Sequence, residues 1–400
     1  MKYLIWMVET ADFPKDKIPM LLEQFGSAKA VFEAKESLLA RYLPLKERQK
    51  KAIEAKNLSA AENILATCKK QRVRVLSILD SAYPQRLRNI YDPPAVLYIR
   101  GNLPDFNSLP AIAVVGQRAA TPYGKMAADH LGYHLSNRGV IVVSGMAKGI
   151  DGAAHQGALK GDTPTVAVFG TAIDGCYPAE HGGLLRQILR RGAAISEYPP
   201  GKQNYPSYFP QRNRIISGLC LGTVVVEAPK KSGSLITASL ALDQGRDVYA
   251  VPANFDAASS EGCNALIQNG AKLIRGVEDI TEEYADLYDF TPIHRVPLAE
   301  AKEPEKRTPK SKAKASVQAA PAEEKRETLE QVFAPKKKAP EGDASEHDAL
   351  LAAIEGVTHI DTILARTGLQ MHQALAQLTL LELLGKVRQL PGKQFEKTGL

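Results

Sequence analysis

The sequence lacks any apolar run long enough to cross a bilayer, which limits where the protein can act. Its first apolar run, from Tyr3 to Val8, has six residues and is followed by the acidic Glu9 and Asp12. Such a run is too short and too acidic to be a signal peptide. We therefore expect a cytoplasmic protein with no membrane partner.

Cysteine is also scarce, and no two of the four cysteines form a C-x-x-C pair. Pairs with that spacing are typical of zinc sites, so their absence argues against a bound metal. We expect free thiols in a reducing compartment, without disulfides. The four residues are Cys68, Cys176, Cys220 and Cys263.

An excess of basic residues is present, but it is concentrated in one stretch. The formal net charge is +7, a value that favours a nucleic-acid partner. Residues 301–340 contain 11 Lys+Arg and 6 Asp+Glu, so this stretch supplies +5 of the +7. The rest of the chain is close to neutral, and a nucleic-acid site there must be a local cluster.

The first 75 residues have the pattern of a small helical domain. Ile18–Phe25 and Lys29–Leu39 have helical spacing, and Gly26-Ser27 between them is a turn signal with a helix cap. Two short helices around a glycine turn are similar to a SAM-like or helix-hairpin-helix module. A small helical domain that only packs on its neighbour fits the pattern equally well.

Residues 76–290 alternate apolar runs with helical segments, which predicts a Rossmann-like α/β fold with a doubly wound, mostly parallel sheet. The runs are almost continuously apolar, as expected for strands buried on both faces. The predicted strands are Ala95–Ile99, Ala111–Val115, Val140–Val143, Thr165–Phe169, Ala193–Glu197, Thr223–Glu227 and Asp247–Val251.

The loops after these strands carry residues suited to phosphate. Ligands bind such sheets at the carboxyl ends of the strands, where glycine lets a backbone approach an anion and hydroxyl groups donate to it. The sequence has neither G-x-G-x-x-G nor G-x-x-x-x-G-K-[ST], so we expect no nucleotide cofactor. The predicted phosphate-binding residues are Gly116, Arg118, Ser144, Gly145, Lys148, Gly149, Ser232, Gly233, Ser234 and Thr237.

One stretch, Phe209 to Leu219, combines an aromatic ring with two guanidinium groups. A helix starting at Pro210 would present Arg212 and Arg214 in its first turn, beside Asn213, where unpaired backbone N–H groups favour an anion. An aromatic ring beside arginines is suited to stacking a base and holding its phosphate. Two alternatives stay open. The arginines pair with acidic neighbours such as Glu197 and Glu227, or Phe209 is a core residue.

The remaining residues predict a linker and a third domain. Residues 291–344 are rich in Pro, Ala, Lys and Glu, which predicts a disordered basic linker. Residues 345–400 predict three helices, at Asp348–Glu355, His359–Arg366 and Gln370–Leu384, and a β-wing around Pro391-Gly392, a winged-helix pattern. The third helix has one charge and no Lys or Arg, which favours a protein contact over DNA recognition.

With these motifs placed, the chain resembles the DprA/Smf family, the DNA-processing proteins of bacterial natural transformation. The resemblance is strong over about residues 76–290. The motifs that carry it are Val115-Gly116-Gln117-Arg118, Ser144-Gly145-Met146-Ala147-Lys148-Gly149-Ile150-Asp151, Gly175-Cys176-Tyr177-Pro178, Ser196-Glu197-Tyr198-Pro199-Pro200-Gly201, the Phe209–Leu219 stretch, Val226-Glu227-Ala228-Pro229, Ser232–Ala238, Gly262-Cys263-Asn264 and Leu266–Ala271.

The resemblance implies a protein that is not an enzyme. It would bind and protect incoming single-stranded DNA without sequence preference, dimerise, and load the RecA recombinase. The implied DNA groove is lined by Arg118, Ser144, Gly145, Phe209, Arg212, Asn213, Arg214 and the Ser232–Thr237 loop. Two departures are Pro252-Ala253-Asn254, where the family usually has Pro-Gly, and Gln117, where Ser is commoner.

Two other functions fit parts of the sequence. Glu227 and the Ser232–Thr237 loop match the glutamate and phosphate loop of enzymes that cleave nucleoside monophosphates on a similar fold. Asp151, His155 and Glu197 are then general acid/base candidates. The third possibility is a pure adaptor that uses the winged helix and linker.

Overall fold

The computed structural model describes residues 1–291 and, with gaps at 370–373, 375–376, 379–380, 383–384 and 391–393, residues 350–398. The expected linker, residues 291–344, lies outside the described residues except for its first position. Contacts divide the chain into two units, Met1–Ala301 and Lys302–Leu400, which are described separately.

The chain begins with short helices. Ser27 caps one of them by accepting a hydrogen bond from the Ala30 amide at 3.1 Å. The predicted helix Ile18–Phe25 is confirmed, but a single helix over Lys29–Leu39 is wrong, because Ala34 and Lys35 have extended backbones and divide it. These elements are α1 (Lys2–Ile5), a π-helix (Trp6–Thr10), a 3-10 turn (Lys15–Lys17), α2 (Ile18–Phe25), α3 (Ala28–Glu33), α4 (Glu36–Leu39), α5 (Glu47–Ala55) and α6 (Ser59–Lys70).

Within residues 1–291 nine strands form one sheet, in the order β1-β2-β6-β5-β4-β3-β7-β8-β9. The strands from β6 to β9 in this order are parallel, and β1 and β2 extend the sheet with antiparallel pairing. The strands are β1 (Arg74–Ser77), β2 (Val96–Gly101), β3 (Ala111–Val115), β4 (Ile141–Ser144), β5 (Thr165–Phe169), β6 (Ala193–Ser196), β7 (Gly222–Val225), β8 (Asp247–Ala250) and β9 (Lys272–Leu273).

The helices that connect these strands cover both faces of the sheet, as predicted for a doubly wound fold. They are α7 (Gln85–Arg88), α8 (Pro122–Asn137), α9 (Ile150–Lys160), α10 (Gly182–Arg191), α11 (Tyr208–Leu219), α12 (Gly233–Asp243), α13 (Glu261–Gln268) and α14 (Glu278–Thr281), with 3-10 turns at Ala179–His181, Ala258–Ser260 and Glu282–Tyr284.

Alternate residues of the parallel strands enter two hydrophobic cores. In β3, Ala111, Ala113 and Val115 belong to the core shared with α10, α11 and α12, whereas Ile112 and Val114 face the core of α8 and α9. Burial on both faces explains why the predicted strand runs were continuously apolar. The seven predicted strands are confirmed, with ends shifted by at most two residues, and β1 and β9 were not predicted.

The N-terminal helices share a hydrophobic core with the sheet. That core runs from Leu4 and Trp6 to Ile195 and Ile215 without interruption. The expected domain boundary after residue 75 falls inside β1, which pairs with β2 through Arg74 and Ile99 at one end. In packing terms the helices and the sheet therefore form one unit.

Partly buried ion pairs hold these helices to the end of β6 and the loop that follows it. Glu197 follows β6 and is 5% exposed, and its Oε2 accepts from Lys15 Nζ at 2.7 Å. Its Oε1 accepts from Arg214 Nη2 on α11 at 2.8 Å. A second pair joins Lys202 Nζ to Glu9 Oε2 at 2.5 Å. The loop between β6 and α11 is therefore held to the N-terminal helices at two points.

The C-terminal unit has a small core of its own, built around Leu350, Ile363, Leu378 and Phe395. Its described elements are a helical turn at residues 350–353, β10 (Thr358–His359), α15 (Ile360–Thr367), β11 (Val387–Leu390) and β12 (Gln394–Lys397), with the strands paired in the order β10-β12-β11. The predicted third helix, Gln370–Leu384, and the predicted turn at Pro391-Gly392 fall largely or wholly outside the described residues.

Three further findings concern the predictions about thiols, membrane spans and metal sites. The four cysteines are free thiols. Among the described residues, none of the helices is long and apolar enough to cross a membrane. Within the same residues, no group of three His, Cys, Asp or Glu is placed to hold a metal.

Glu197 gives a prediction about stability and pH. Burial by itself raises its pKa, but Arg214 and Lys15 hold the pKa below its usual value. The stability it contributes is therefore present above its unfolded pKa of about 4.3 and is lost as the pH falls below that value. Glu197→Gln should cost about 3–5 kcal/mol at neutral pH, because it removes the buried carboxylate that pairs with both Arg214 and Lys15 and leaves the buried Arg214 with Asp92 alone.

Chemical denaturation at neutral pH and at about pH 3 measures this effect. The difference in the free energy of unfolding between the original protein and Glu197→Gln should be smaller at the lower pH. Glu62→Gln is the matched control, because Glu62 pairs with Lys2 on the surface, where an ion pair contributes little. A stability difference that stayed the same at both pH values would contradict the role assigned to the Glu197 carboxylate.

Candidate nucleic-acid interface

Strands β3 and β7 are neighbours in the sheet, and the strand order runs away from them in opposite directions. Strands β4, β5 and β6 follow on the β3 side, and β8 and β9 follow on the β7 side. The helix after β3, α8, packs on one face, and the helix after β7, α12, packs on the other. A crevice therefore opens above the carboxyl ends of these strands, where ligands bind in folds of this kind. We call this side of the sheet the carboxyl edge.

The loops after β3 and β7 are joined by Glu227, which is 1% exposed. Its Oε2 accepts from the Thr121 amide at 2.8 Å, and its Oε1 accepts from Thr121 Oγ1 at 2.7 Å. Its backbone carbonyl accepts from the Gln117 amide at 2.8 Å. Both carboxylate oxygens are thus used to hold the start of α8, and Glu227 does not pair with Arg212 or Arg214.

The loop after β4 is held from within by Asp151, in the first turn of α9. Its Oδ2 accepts from the amides of Gly145 at 3.1 Å and Ala147 at 3.2 Å. Ser144 is fully buried and its Oγ donates to the Val114 carbonyl at 2.7 Å. Ser144 and Gly145 therefore shape the loop, and their polar groups are occupied inside the protein.

Two glycines of the predicted set allow neighbouring loops to touch. Gly149 has φ +77°, and a Cβ there would lie 2.5 Å from the carbonyl oxygen of Arg118. A Cβ at Gly116 would lie 2.8 Å from the Cβ of Ile150. Both positions serve the packing of the β3 loop against the β4 loop, which sets where Arg118 emerges.

Arg212 lies inside the protein and not on its surface. The helix begins at Tyr208, two residues earlier than predicted, and Arg212 is 5% exposed. Its Nη1 donates to the Gly145 carbonyl at 2.7 Å and also to the Val168 carbonyl. Burial lowers its pKa to about 10. The guanidinium ties the ends of β4 and β5 together, so the expected placement in an exposed first turn is wrong.

Arg214 is also buried, at 5% exposure, because it is paired with acidic residues. Its Nη2 donates to Glu197 at 2.8 Å and its Nε donates to Asp92 at 2.7 Å. These ion pairs raise its pKa. Arg214 therefore pairs with an acidic neighbour, Glu197, which is one of the alternatives that the sequence left open. A direct contact with a phosphate is not supported by this geometry.

Phe209 and Arg118 meet at the surface of the carboxyl edge. The Arg118 guanidinium carbon lies 5.7 Å from the centre of the Phe209 ring, within cation–π range. The ring is half-buried, because it packs against Gly170 after β5, where a Cβ would lie 3.0 Å from the ring. Arg118 is exposed and forms no ion pair among the described residues.

Tyr177 completes this group, although it was not among the predicted site residues. Its ring centre lies 5.2 Å from that of Phe209, and the side chain is 52% exposed. The motif Gly175-Cys176-Tyr177-Pro178 carried the family resemblance, so the signal was present but was not assigned a role. We call Arg118, Tyr177 and Phe209 the surface cluster.

The other predicted residues are placed around the surface cluster with different exposures. Asn213 is half-buried and its Oδ1 accepts from Arg212 Nε at 3.2 Å. Lys148 is exposed and pairs with Glu180. In the loop after β7, Ser232 caps α12, Gly233 is exposed, and Ser234 and Thr237 are 8% and 2% exposed.

The acid/base candidates are not arranged for catalysis. His155 is fully buried, and burial lowers its pKa to about 3. Its Nδ1 lies 2.7 Å from Thr165 Oγ1, which itself donates to the Val142 carbonyl at 2.7 Å. Asp151, Glu197 and Glu227 each use their carboxylates in the internal contacts described above. None of these groups faces the crevice.

Comparison with known proteins agrees with this fold. The family model for DNA recombination-mediator protein A matches residues 74–285, and the model for the DprA winged helix domain matches residues 334–393. The second match confirms the predicted winged-helix domain.

Individual relatives extend the match. The chain is 44% identical to DNA processing protein DprA of Streptococcus pneumoniae over 214 residues, which are 54% of this chain and 75% of that protein. It is 34% identical to Protein Smf of Synechocystis over 322 residues, 80% of this chain and 78% of that protein. The X-ray structure of the pneumococcal DprA aligns with a TM-score of 0.62 at 36% identity, over 71% of this chain and 98% of that one. The chain belongs to the DprA/Smf family of DNA recombination-mediator proteins.

Proposed function

We propose that the carboxyl edge of the sheet binds single-stranded DNA without sequence preference. The observation that carries the proposal is the surface cluster, in which an accessible cation lies over an aromatic ring. A base stacks on Phe209 or Tyr177, and Arg118 contacts the phosphate beside it. Because every base has a flat face and every nucleotide has a phosphate, this arrangement does not distinguish sequences.

The half-buried ring favours a single strand over a duplex. Phe209 packs on Gly170 on one side, so a base must reach it from the side that remains open. In a duplex both faces of a base are covered by its neighbours, and unstacking one base costs a few kcal/mol. A single strand avoids most of this cost and can place its bases outward.

Membership of a recombination-mediator family supports a wider proposal. Bound DNA is protected and passed to the RecA recombinase, in the cytoplasm, by a homodimer of this chain. The winged-helix domain contacts protein in this scheme, consistent with the single charge in the sequence of its predicted third helix. Co-sedimentation with RecA and determination of mass in solution test the partner and the dimer.

Neither rival function has a supporting observation in the site. Glu227, the residue that the nucleotide-cleaving alternative requires, has both oxygens bonded to Thr121. The surface cluster lies within residues 1–291, whereas a pure adaptor would use the linker and the winged-helix domain. We therefore propose that the protein acts on DNA by binding and not by catalysis.

Arg118→Ala should weaken binding to single strands of any sequence and reduce the salt dependence of binding by about one phosphate contact, because Arg118 is the exposed cation of the surface cluster. Titrations of labelled oligonucleotides at several salt concentrations measure both quantities. The melting temperature should stay close to that of the original protein, since Arg118 forms no ion pair among the described residues.

Arg212→Ala is the informative contrast. Its guanidinium is buried against Gly145 and Val168, so its loss should lower the free energy of unfolding by several kcal/mol, as expected for breaking a buried charge network. If instead the fold were unaffected and the salt dependence fell as in Arg118→Ala, the internal role of Arg212 would be wrong.

Phe209→Ala should weaken single-strand binding by about 1–3 kcal/mol without changing its salt dependence, because a stacked ring contributes no charge. Phe209→Tyr should retain most of the affinity. Melting temperature and affinity are to be measured on the same sample, since the ring also packs on Gly170. A DNA defect that appeared only at temperatures where the variant unfolds would remove Phe209 from the site.

Removal of residues 292–400 should leave a folded protein that still binds single strands. The remaining residues, 1–291, contain both hydrophobic cores that cover the nine-stranded sheet, and they also contain the surface cluster. The removed stretch at residues 301–340 carries a charge of +5, so a salt-sensitive part of the affinity should be lost with it. Complete loss of binding at low salt would place the main DNA site in the removed part.

A further inference from the structure

Phe255 is a fully exposed aromatic residue at the carboxyl edge, in the loop that follows β8. Its side chain is 98% exposed. It occupies the second position of a turn in which the Ala257 amide donates to the Asn254 carbonyl at 3.0 Å. The ring therefore stands at the tip of a turn, directly accessible to a ligand.

The base of this turn is anchored. Asn264, on α13, accepts from the Ala253 amide at 3.3 Å through Oδ1 and donates to the Ala253 carbonyl at 3.2 Å through Nδ2. The loop differs from the Pro-Gly usual in the family at the same place. An anchored loop holds an exposed ring at a defined position, which reduces the entropy lost when a flat ligand binds to it.

The order of the strands places Phe255 in line with the proposed DNA site. Along the edge, Phe209 covers the end of β5, and Lys148, Arg118 and Lys231 lie in the loops after β4, β3 and β7 in turn. Phe255 follows β8, the next strand. The loops after β4 and β3 thus supply one exposed cation each, the loop after β7 supplies Lys230 as well as Lys231, and an aromatic ring stands at each end.

The charges of this path favour a polyanion, with three local exceptions, of which one is the surface pair between Lys230 and Glu261. Arg118 and Lys231 form no ion pair among the described residues. Lys148 pairs with Glu180 on the surface, where such a pair contributes little and a phosphate can replace the carboxylate. The carboxylate of Asp256 is next to Phe255 in sequence and would repel a phosphate. Phe255 is therefore suited to contact a base and not a phosphate.

The length of the path fits a short stretch of single strand. Four strand spacings of about 4.8 Å separate the ends of β5 and β8, a distance of about 19 Å. At the rise of about 3.4 Å per nucleotide of stacked DNA this corresponds to about six nucleotides, and an extended single strand, with roughly twice that rise, covers the distance with about three. An oligonucleotide of two nucleotides cannot reach both rings, whereas one of about twelve can.

We propose that Phe255 is a second base-stacking site, which holds a base about three to six nucleotides from the one stacked at the surface cluster. This inference rests on the proposed function and adds to it the direction in which the strand leaves the cluster. The strand runs across the ends of β3 and β7 towards β8, and a single flat ring accepts any base there.

The test compares thymidine oligomers of two and about twelve nucleotides by fluorescence anisotropy, with the full chain and with Phe255→Ala. The longer oligomer should bind the variant at least about fivefold more weakly, the low end of the range for a lost stacking contact. The affinity for the shorter oligomer should stay unchanged. Phe255→Tyr should keep the affinity of the original protein for the longer oligomer. Phe255→Leu, which is apolar but lacks an aromatic ring, should not keep it.

Tyr133→Ala is the matched control. Tyr133 is an exposed aromatic on α8, eleven residues beyond the start of that helix and so towards the opposite edge of the sheet. It should leave both affinities unchanged. Because Phe255 is 98% exposed, its replacement should not affect folding, which a melting curve checks.

The outcomes separate this inference from the proposed function. If the original protein bound neither oligomer, both the proposed function and this inference would be wrong. If Arg118→Ala weakened both oligomers but Phe255→Ala weakened neither, or both equally, only the second stacking site would be wrong. If Phe255→Ala changed the mass of the protein in solution and left the two affinities intact, the ring would belong to a contact between copies of the chain, and the inference would be overturned.

Discussion

Burial of the two arginines of α11 is the constraint on which the carboxyl edge depends. A guanidinium keeps its charge at any ordinary pH, so its burial is tolerated only where carbonyls and carboxylates surround it. Arg212 finds carbonyls at the ends of β4 and β5, and Arg214 finds Glu197 and Asp92. The helix, two strand ends and the loop after β6 are therefore held in one relative position.

This arrangement separates the residues that support the site from those that face solvent. The buried guanidiniums fix the path of α11, and the first turn of that helix carries Phe209 over Gly170. Arg118 is positioned from the other side, by the contact between its own loop and the loop at Gly149. A surface that is rigid before the ligand arrives loses less entropy on binding, which suits weak contacts such as stacking.

Sequence patterns predicted the parallel strands well, because burial on both faces leaves a continuous apolar run that few other structures require. They failed at the arginines for a physical reason. The partners of Arg212 lie 67 and 44 residues away in the chain, and local spacing carries no information about which distant carbonyl will be adjacent. Strand β9 was missed because it has two residues, and the break between α3 and α4 has neither glycine nor proline to signal it.

The contact between Lys15 and Glu197 also has a consequence for how the chain folds. The two residues are 182 positions apart, so the contact closes a very long loop. At a synthesis rate of about 5–20 residues per second, Lys15 is made about 10–35 seconds before Glu197. Until then the core that Leu4 and Trp6 share with Ile195 and Ile215 is incomplete. The first helices to be made are thus among the last elements whose packing is completed.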